Sequence, residues 1–181
     1  MKEITKTHLK NAFSGESMAN IRYKIYSEKA KKQDFPSISL LFEAIAYAEH
    51  VHARNHLRRL PEETDSAIAH APFGVGDTIQ NLEKGIEGEE FEINEMYPSY
   101  KEVADFQSEK KAAISFKWAL EAEGIHKAFF EKAKEKIESG EGYKLEKINI
   151  CSTCGYTTKG KAPDQCPICG ADKKQFRKFE T

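Results

Sequence analysis

Glu49-His50-Val51-His52 and Glu123-Gly124-Ile125-His126 decide how this chain folds. Each sets a glutamate and a histidine three positions apart, so on a helix both side chains share one face, one turn apart. Each also falls inside an apolar stripe of helical period. Ile38, Leu41, Phe42, Ile45 and Ala48 lead into the first; Ala112, Phe116 and Ala119 lead into the second, with Phe130 and Ile137 beyond it. A carboxylate in a stripe that faces a core needs a partner, because an ionised group buried alone is strongly destabilising.

Each pair has a glutamate upstream. Glu16 precedes Glu49 by 33 residues, and Glu89 precedes Glu123 by 34. Glu16 interrupts the stripe Leu9, Ala12, Phe13, Ala19, Tyr23, Tyr26 and Ala30. Glu89 lies within Ile79, Leu82, Ile86, Ile93 and Met96, with Glu92 one turn along. The four stripes predict helices over about 5–32, 36–60, from about 77 onward, and 108–139, an all-α four-helix bundle. Asp34 reads as a cap for the second helix, Pro36 and Ser37 as its start, and Pro61 as its end. Residues 62–76, with Pro72, Gly74 and Gly76, read as a long connection along the bundle. Pro98 is expected to kink or weaken the third helix.

Five stripe carboxylates (Glu16, Glu49, Glu89, Glu92, Glu123) and two imidazoles (His52, His126) therefore converge, with no Lys or Arg at matching positions. Two divalent cations balance four of the carboxylates, and oxygen with imidazole suits iron or manganese. A single stripe glutamate is ordinarily a boundary residue; the matched duplication argues against that here. His50 is expected to be exposed; His56, one turn beyond His52, either backs the ligands or faces solvent, with solvent the favoured reading, while Glu43, Glu90 and Glu121 fall off the stripes. Tyr23 and Tyr97 are either hydrogen-bond partners of the carboxylates or ordinary core tyrosines.

Cys151, Cys154, Cys166 and Cys169 form two Cys-x-x-Cys-Gly knuckles near the end of the chain. A glycine after the second cysteine allows a tight turn whose N–H groups point at thiolate sulfur. Four thiolates make a tetrahedral site that takes zinc or iron, and Phe176 and Phe179 are expected to pack over it. The reading divides the chain into a bundle over 1–142 and a small four-cysteine domain over 143–181.

Charged residues make up 31% of the 181 residues, yet the formal net charge is −1. So balanced a surface gives no reason to expect nucleic acid or an anionic membrane as partner. The polar stretch from Met1 to Lys10 lacks a secretory pattern and no apolar run approaches spanning length, so a soluble, cytoplasmic protein is expected.

The chain resembles the rubrerythrins. The resemblance rests on Gly15-Glu16-Ser17-Met18-Ala19 with Tyr23, Ala48-Glu49-His50-Val51-His52, Gly88-Glu89-Glu90-Phe91-Glu92 leading to Met96-Tyr97-Pro98, Glu123-Gly124-Ile125-His126 and the two knuckles. It covers nearly the whole chain. It implies a ferritin-like bundle with two non-haem irons, followed by a rubredoxin-like domain with one. It further implies that Glu49 and Glu123 bridge, that Glu16 and Glu89 are terminal ligands, and that His126 is a fixed ligand. His52 and Glu92 would be the pair between which one iron exchanges with redox state.

The activity implied is reduction of hydrogen peroxide to water, with electrons returned through the four-cysteine iron from an external rubredoxin or NAD(P)H-linked reductase. A homodimer is implied too, with one subunit's rubredoxin-like iron near its partner's di-iron site; some members exchange helices. Two other functions compete: a ferroxidase or iron-handling protein, to which a four-cysteine tail adds nothing, and a redox sensor that reports to a partner.

Overall fold

The computed structural model describes residues 1–62 and 64–180. Glu63, in the expected connection, and Thr181, at the end of the tail, lie outside the described residues. Two helical hairpins build the larger part. The first is α1 (Glu3–Lys32) and α2 (Pro36–Leu57). The second is α3 (Thr78–Phe91), a π-helical turn (Glu92–Met96) and α4 (Tyr97–Phe106), returning as α5 (Lys110–Glu138). α1 packs along α2, α3 and α4 pack along α5, and α2 meets α5 across the middle.

Asp34 does not cap α2. It sits at φ +62°, the left-handed residue that stops α1: Phe35 N–H reaches back to the Ala30 carbonyl at 3.0 Å and Asp34 N–H to Lys31 at 3.3 Å. This is a Schellman closure, and Pro36 then opens α2 with its φ already helical. The second hairpin turns in the same way. Ser108 is at φ +61°, and Glu109 N–H bonds the Ala104 carbonyl at 2.8 Å.

α3 starts on a reciprocal capping box between Asp77 and Gln80. It does not fail at Pro98. Pro98 has no N–H to give to the preceding turn, and the helix widens into the π-turn just before it, then continues to Phe106. Tyr97 and Ala104 are the buried residues of this continuation.

The C-terminal part is a three-stranded antiparallel sheet, order β2-β1-β3, of β1 (Lys147–Cys151), β2 (Thr157–Lys159) and β3 (Phe176–Glu180). Leu145, Ile148, Ile150 and Phe179 share one apolar cluster with Leu41, Phe42 and Ala44 of α2, so the sheet extends the bundle core instead of closing on itself. The expectation for the two phenylalanines is half corrected. Phe176 lies with the cysteines, whereas Phe179 turns to α2, 5.7 Å from the Tyr47 ring. Among the described residues, no helix is long and apolar enough to cross a membrane.

Candidate metal centre

The stripes bring Glu16 from α1, Glu49 and His52 from α2, Glu89 from α3, and Glu123 and His126 from α5 into the middle of the bundle, all buried. They form two overlapping groups, each with ligand atoms within 4.8 Å of one another: Glu16, Glu49, His52 and Glu123, and Glu49, Glu89, Glu123 and His126. Glu49 and Glu123 belong to both. His52 Nδ1 lies 2.8 Å from Glu123 Oε1 and 3.0 Å from Glu49 Oε2; His126 Nδ1 lies 2.7 Å from Glu123 Oε2 and 3.4 Å from Glu49 Oε1.

The hydrogen bonds around these groups leave the inward-facing atoms bare. Tyr23 donates to Glu89 Oε1 at 2.8 Å, and Tyr97 donates to Glu16 Oε1. Glu16 Oε2, Glu89 Oε2, Glu123 Oε1 and both oxygens of Glu49 are buried without a hydrogen bond. Each imidazole is anchored from outside. His52 Nε2 is 3.1 Å from the Cys154 carbonyl, which can only accept. His126 Nε2 is 2.9 Å from Thr157 Oγ1, whose own proton goes to the Gly155 carbonyl. Both Nε2 atoms therefore carry a hydrogen, and both Nδ1 atoms face the carboxylates.

Electrostatics point the same way. Burial, then the Glu123 charge, pushes Glu16 up to about 8. Burial followed by Glu49 and Glu123 raises Glu89 well above the usual carboxylate range. Burial alone would lower His52, but Glu123 and Glu16 more than offset it and hold it well above an ordinary histidine. Without cations, the cluster thus neutralises itself by taking up protons. A donor set of bare carboxylate oxygens and aimed imidazole nitrogens fits two cations in place of those protons.

Glu92 stands apart. It lies at the start of the π-turn, partly exposed, outside both groups, and its pKa is raised well above normal by burial and then by Glu16 and Glu123. It lines a cavity of about 140 Å³ with Gly15, Arg22, His70, Glu87 and Gly88. A larger apolar hollow of about 460 Å³, lined by Met18, Ile21, Ile25 and Phe73, opens on the outer side of α1 and has no carboxylate, imidazole or thiol in its wall. The smaller cavity is the one adjoining the carboxylates.

Cys151, Cys154, Cys166 and Cys169 form the third group. Cys151 Sγ and Cys169 Sγ are 3.7 Å apart and Cys154 Sγ and Cys166 Sγ 3.5 Å, too far for disulfides. A tetrahedral metal with bonds of about 2.3 Å requires sulfurs about 3.8 Å apart, so the cage fits. Gly155 and Gly170 take φ of +87° and +74° at the two knuckle turns. Cys151 is pulled down to about 5, chiefly by the Cys154 thiol and further by the Thr153 and Cys154 N–H groups, against its burial.

The first knuckle lies directly on α2. The carbonyls of Ser152, Thr153 and Cys154 accept from Arg54, Asn55 and His52 in turn. The contact between the four-cysteine group and the bundle groups is made within one chain.

The rubrerythrin family model matches residues 7–134, and the model for the rubrerythrin rubredoxin-like domain matches 150–177. The chain belongs to the rubrerythrin family. Rubrerythrin-2 of Clostridium acetobutylicum is 44% identical over 97% of this chain and 97% of its own length. Rubrerythrin of Nitratidesulfovibrio vulgaris is 33% identical, covering 95% of this chain and 92% of its own. Nigerythrin, solved in a fully reduced, all-ferrous state, superposes with a TM-score of 0.84 at 30% identity, over 97% of this chain and 86% of that one.

Three contributors to the centre of this rubrerythrin-family chain are not evident from its sequence. Thr157 and the Cys154 carbonyl act through tertiary contact, for which no spacing rule exists. His56, for which solvent was the favoured of two readings, is 0% exposed, its Nδ1 2.8 Å from Ser115 Oγ and its Nε2 3.1 Å from the Tyr97 hydroxyl, so the other reading, a partner behind the ligands, is the one that holds. Burial, followed by the charge of His52, pushes its pKa down to about 3, so it is a neutral imidazole. Four residues on from His52 is only about 40° around the helix, which places it beside the site face.

Proposed function

We propose that the protein is a peroxidase that reduces hydrogen peroxide to two waters, with two irons held in the bundle and a third in the four-cysteine cage. Bound iron supplies the two electrons of this reduction, and the two protons it consumes come from the medium. The observation that carries the reading is the bond from His52 Nε2–H to the Cys154 carbonyl, which joins the backbone of a cage cysteine to a side chain of the bundle cluster. A protein that only stores iron has no use for that link.

On this reading Glu49 and Glu123, common to both groups, would be shared by the two irons, with Glu16 and His52 holding one and Glu89 and His126 the other. Tyr23 and Tyr97 hold one oxygen of each terminal carboxylate and leave the other for metal. Glu92, which lines the small cavity, would be the carboxylate that exchanges with His52 as the charge of a bound pair changes. Electrons enter from an external rubredoxin or reductase through the four-cysteine end.

Mixing the anaerobically reduced protein with stoichiometric peroxide in a stopped-flow spectrometer should bring up the ferric-thiolate colour rapidly, and much faster than oxygen does. Colour no faster than with oxygen would remove the peroxidase assignment. Cys151→Ser should empty the cage and abolish that colour while leaving bundle iron in place, as counted by metal analysis. Loss of bundle iron as well would show that the two centres do not load separately.

A further inference from the structure

The two halves of the bundle cluster repeat each other, and one residue breaks the repeat. Tyr97 donates to Glu16 and Tyr23 to Glu89, each leaving the second carboxylate oxygen without a partner. Four residues beyond each cluster histidine stands the side chain that packs on the corresponding tyrosine. Beyond His126 it is Phe130, edge-on to Tyr23 with ring centroids 5.3 Å apart. Beyond His52 it is His56, whose ring centroid is 5.8 Å from that of Tyr97. Tyr23 packs among the rings of Tyr26, Phe42 and Phe130 with the Arg22 guanidinium 5.5 Å from its centroid, whereas Tyr97 meets an imidazole.

Donor and acceptor capacity sets the direction of every bond at His56. Tyr97 has one hydroxyl proton, and it goes to Glu16. Its oxygen can therefore only accept from His56, so Nε2 carries the imidazole hydrogen across the 3.1 Å contact. Nδ1 then has a lone pair and takes the Ser115 hydroxyl proton at 2.8 Å. All four residues are buried. A one-way series of hydrogen bonds thus runs from Ser115 on α5 through His56 on α2 and Tyr97 on α4 to Glu16 on α1. Bonds in series polarise one another, so the last donor is the strongest.

We propose that His56, anchored by Ser115, is a positioning residue for one metal position only: it fixes Tyr97 as a donor to Glu16 Oε1 and so presents Glu16 Oε2 to the metal. The two positions are inequivalent for this reason, since among the described residues the Tyr23 hydroxyl has no hydrogen-bond partner besides Glu89. The inference rests on the two-iron reading above, but not on the reaction with peroxide.

Long-range proton–nitrogen NMR on the metal-free full chain reads the tautomer. His56 should be protonated at Nε2 alone, and an Nδ1–H form would overturn the series. Anaerobic Fe(II) titration reads the metal positions, with Glu16→Gln identifying which binding step belongs to Glu16. His56→Phe, which copies the other half, should weaken that step about tenfold and leave the other unchanged. His56→Gln, which keeps an N–H for Tyr97, should restore most of the affinity. Unchanged binding in His56→Phe, equal weakening of both steps, or failure of glutamine to rescue would each defeat the proposal. A chain that binds two Fe(II) as described yet ignores peroxide would lose the proposed function and keep this inference.

Discussion

Gly155→Ala should uncouple the two metal centres while leaving both loaded. Gly155 sits at φ +87°, and a Cβ built there would lie 2.0 Å from His52 Nε2 and within 3 Å of two ring carbons. The imidazole cannot retreat, because its Nδ1 is committed to the carboxylate cluster on the other side. The knuckle must lift instead, breaking the His52 bond to Cys154 and straining those from Arg54 and Asn55. The left-handed backbone adds about 1 kcal/mol against any residue with a side chain. A displacement of about 1 Å at a reacting centre costs about a hundredfold in rate, and that is the slowing expected for the ferric-thiolate colour after peroxide. Gly124→Ala is the control. It lies next to Glu123 on α5, but its Cβ would meet nothing within 4 Å, so the relay should be untouched. Equal rates in the two variants would mean that electrons do not pass through the His52 contact.

Glu123→Gln should leave the bundle without bound iron, whereas Glu16→Gln should leave one iron of two. Glu123 belongs to both groups, and each of its oxygens faces a different histidine, Oε1 toward His52 and Oε2 toward His126. Those two histidines hold its carboxyl well below the usual range, against the effect of burial, so it carries a negative charge in the absence of metal. Removing that charge withdraws a ligand from both positions at once and leaves two cations facing too few anions. Glu16 serves one group only. Glutamine keeps the volume, so the packing around it survives. Iron per chain after anaerobic reconstitution measures the difference, with the four-cysteine iron as internal reference. Retention of one bundle iron in Glu123→Gln would remove Glu123 from the bridging role.

The helices and the six residues of the two groups were legible because burial and chemistry share a period. A glutamate that keeps helical register with Leu9, Ala12 and Tyr26 can only point inward, and a histidine three residues after Glu49 must follow it. What escaped notice depends on context that periodicity does not carry. Pro98 reads as a kink or weak point, and the π-turn before it absorbs the missing donor so that the helix continues as α4. Asp34 reads as a cap, yet the Schellman geometry makes it the end of α1. Phe179 lies in a strand whose partner surface is on α2, more than a hundred residues away, and no local pattern reveals which of two apolar clusters it joins. His56 is a different case, because its angle beside His52 was available and its polarity argued wrongly for solvent.

The contacts that join the two halves of the bundle cluster run between residues before 58 and residues after 77. Tyr23 reaches Glu89, Tyr97 reaches Glu16, His52 reaches Glu123 and the Cys154 carbonyl, Glu49 reaches His126, and Ser115 reaches His56. None uses a residue of the connection between the hairpins. Neither hairpin owns the centre, and each is the other's missing half. The arrangement is therefore indifferent to molecular ownership: two copies that traded their first hairpins would rebuild both centres bond for bond, with only the path of residues 58–77 to tell the exchanged pair from two separate molecules.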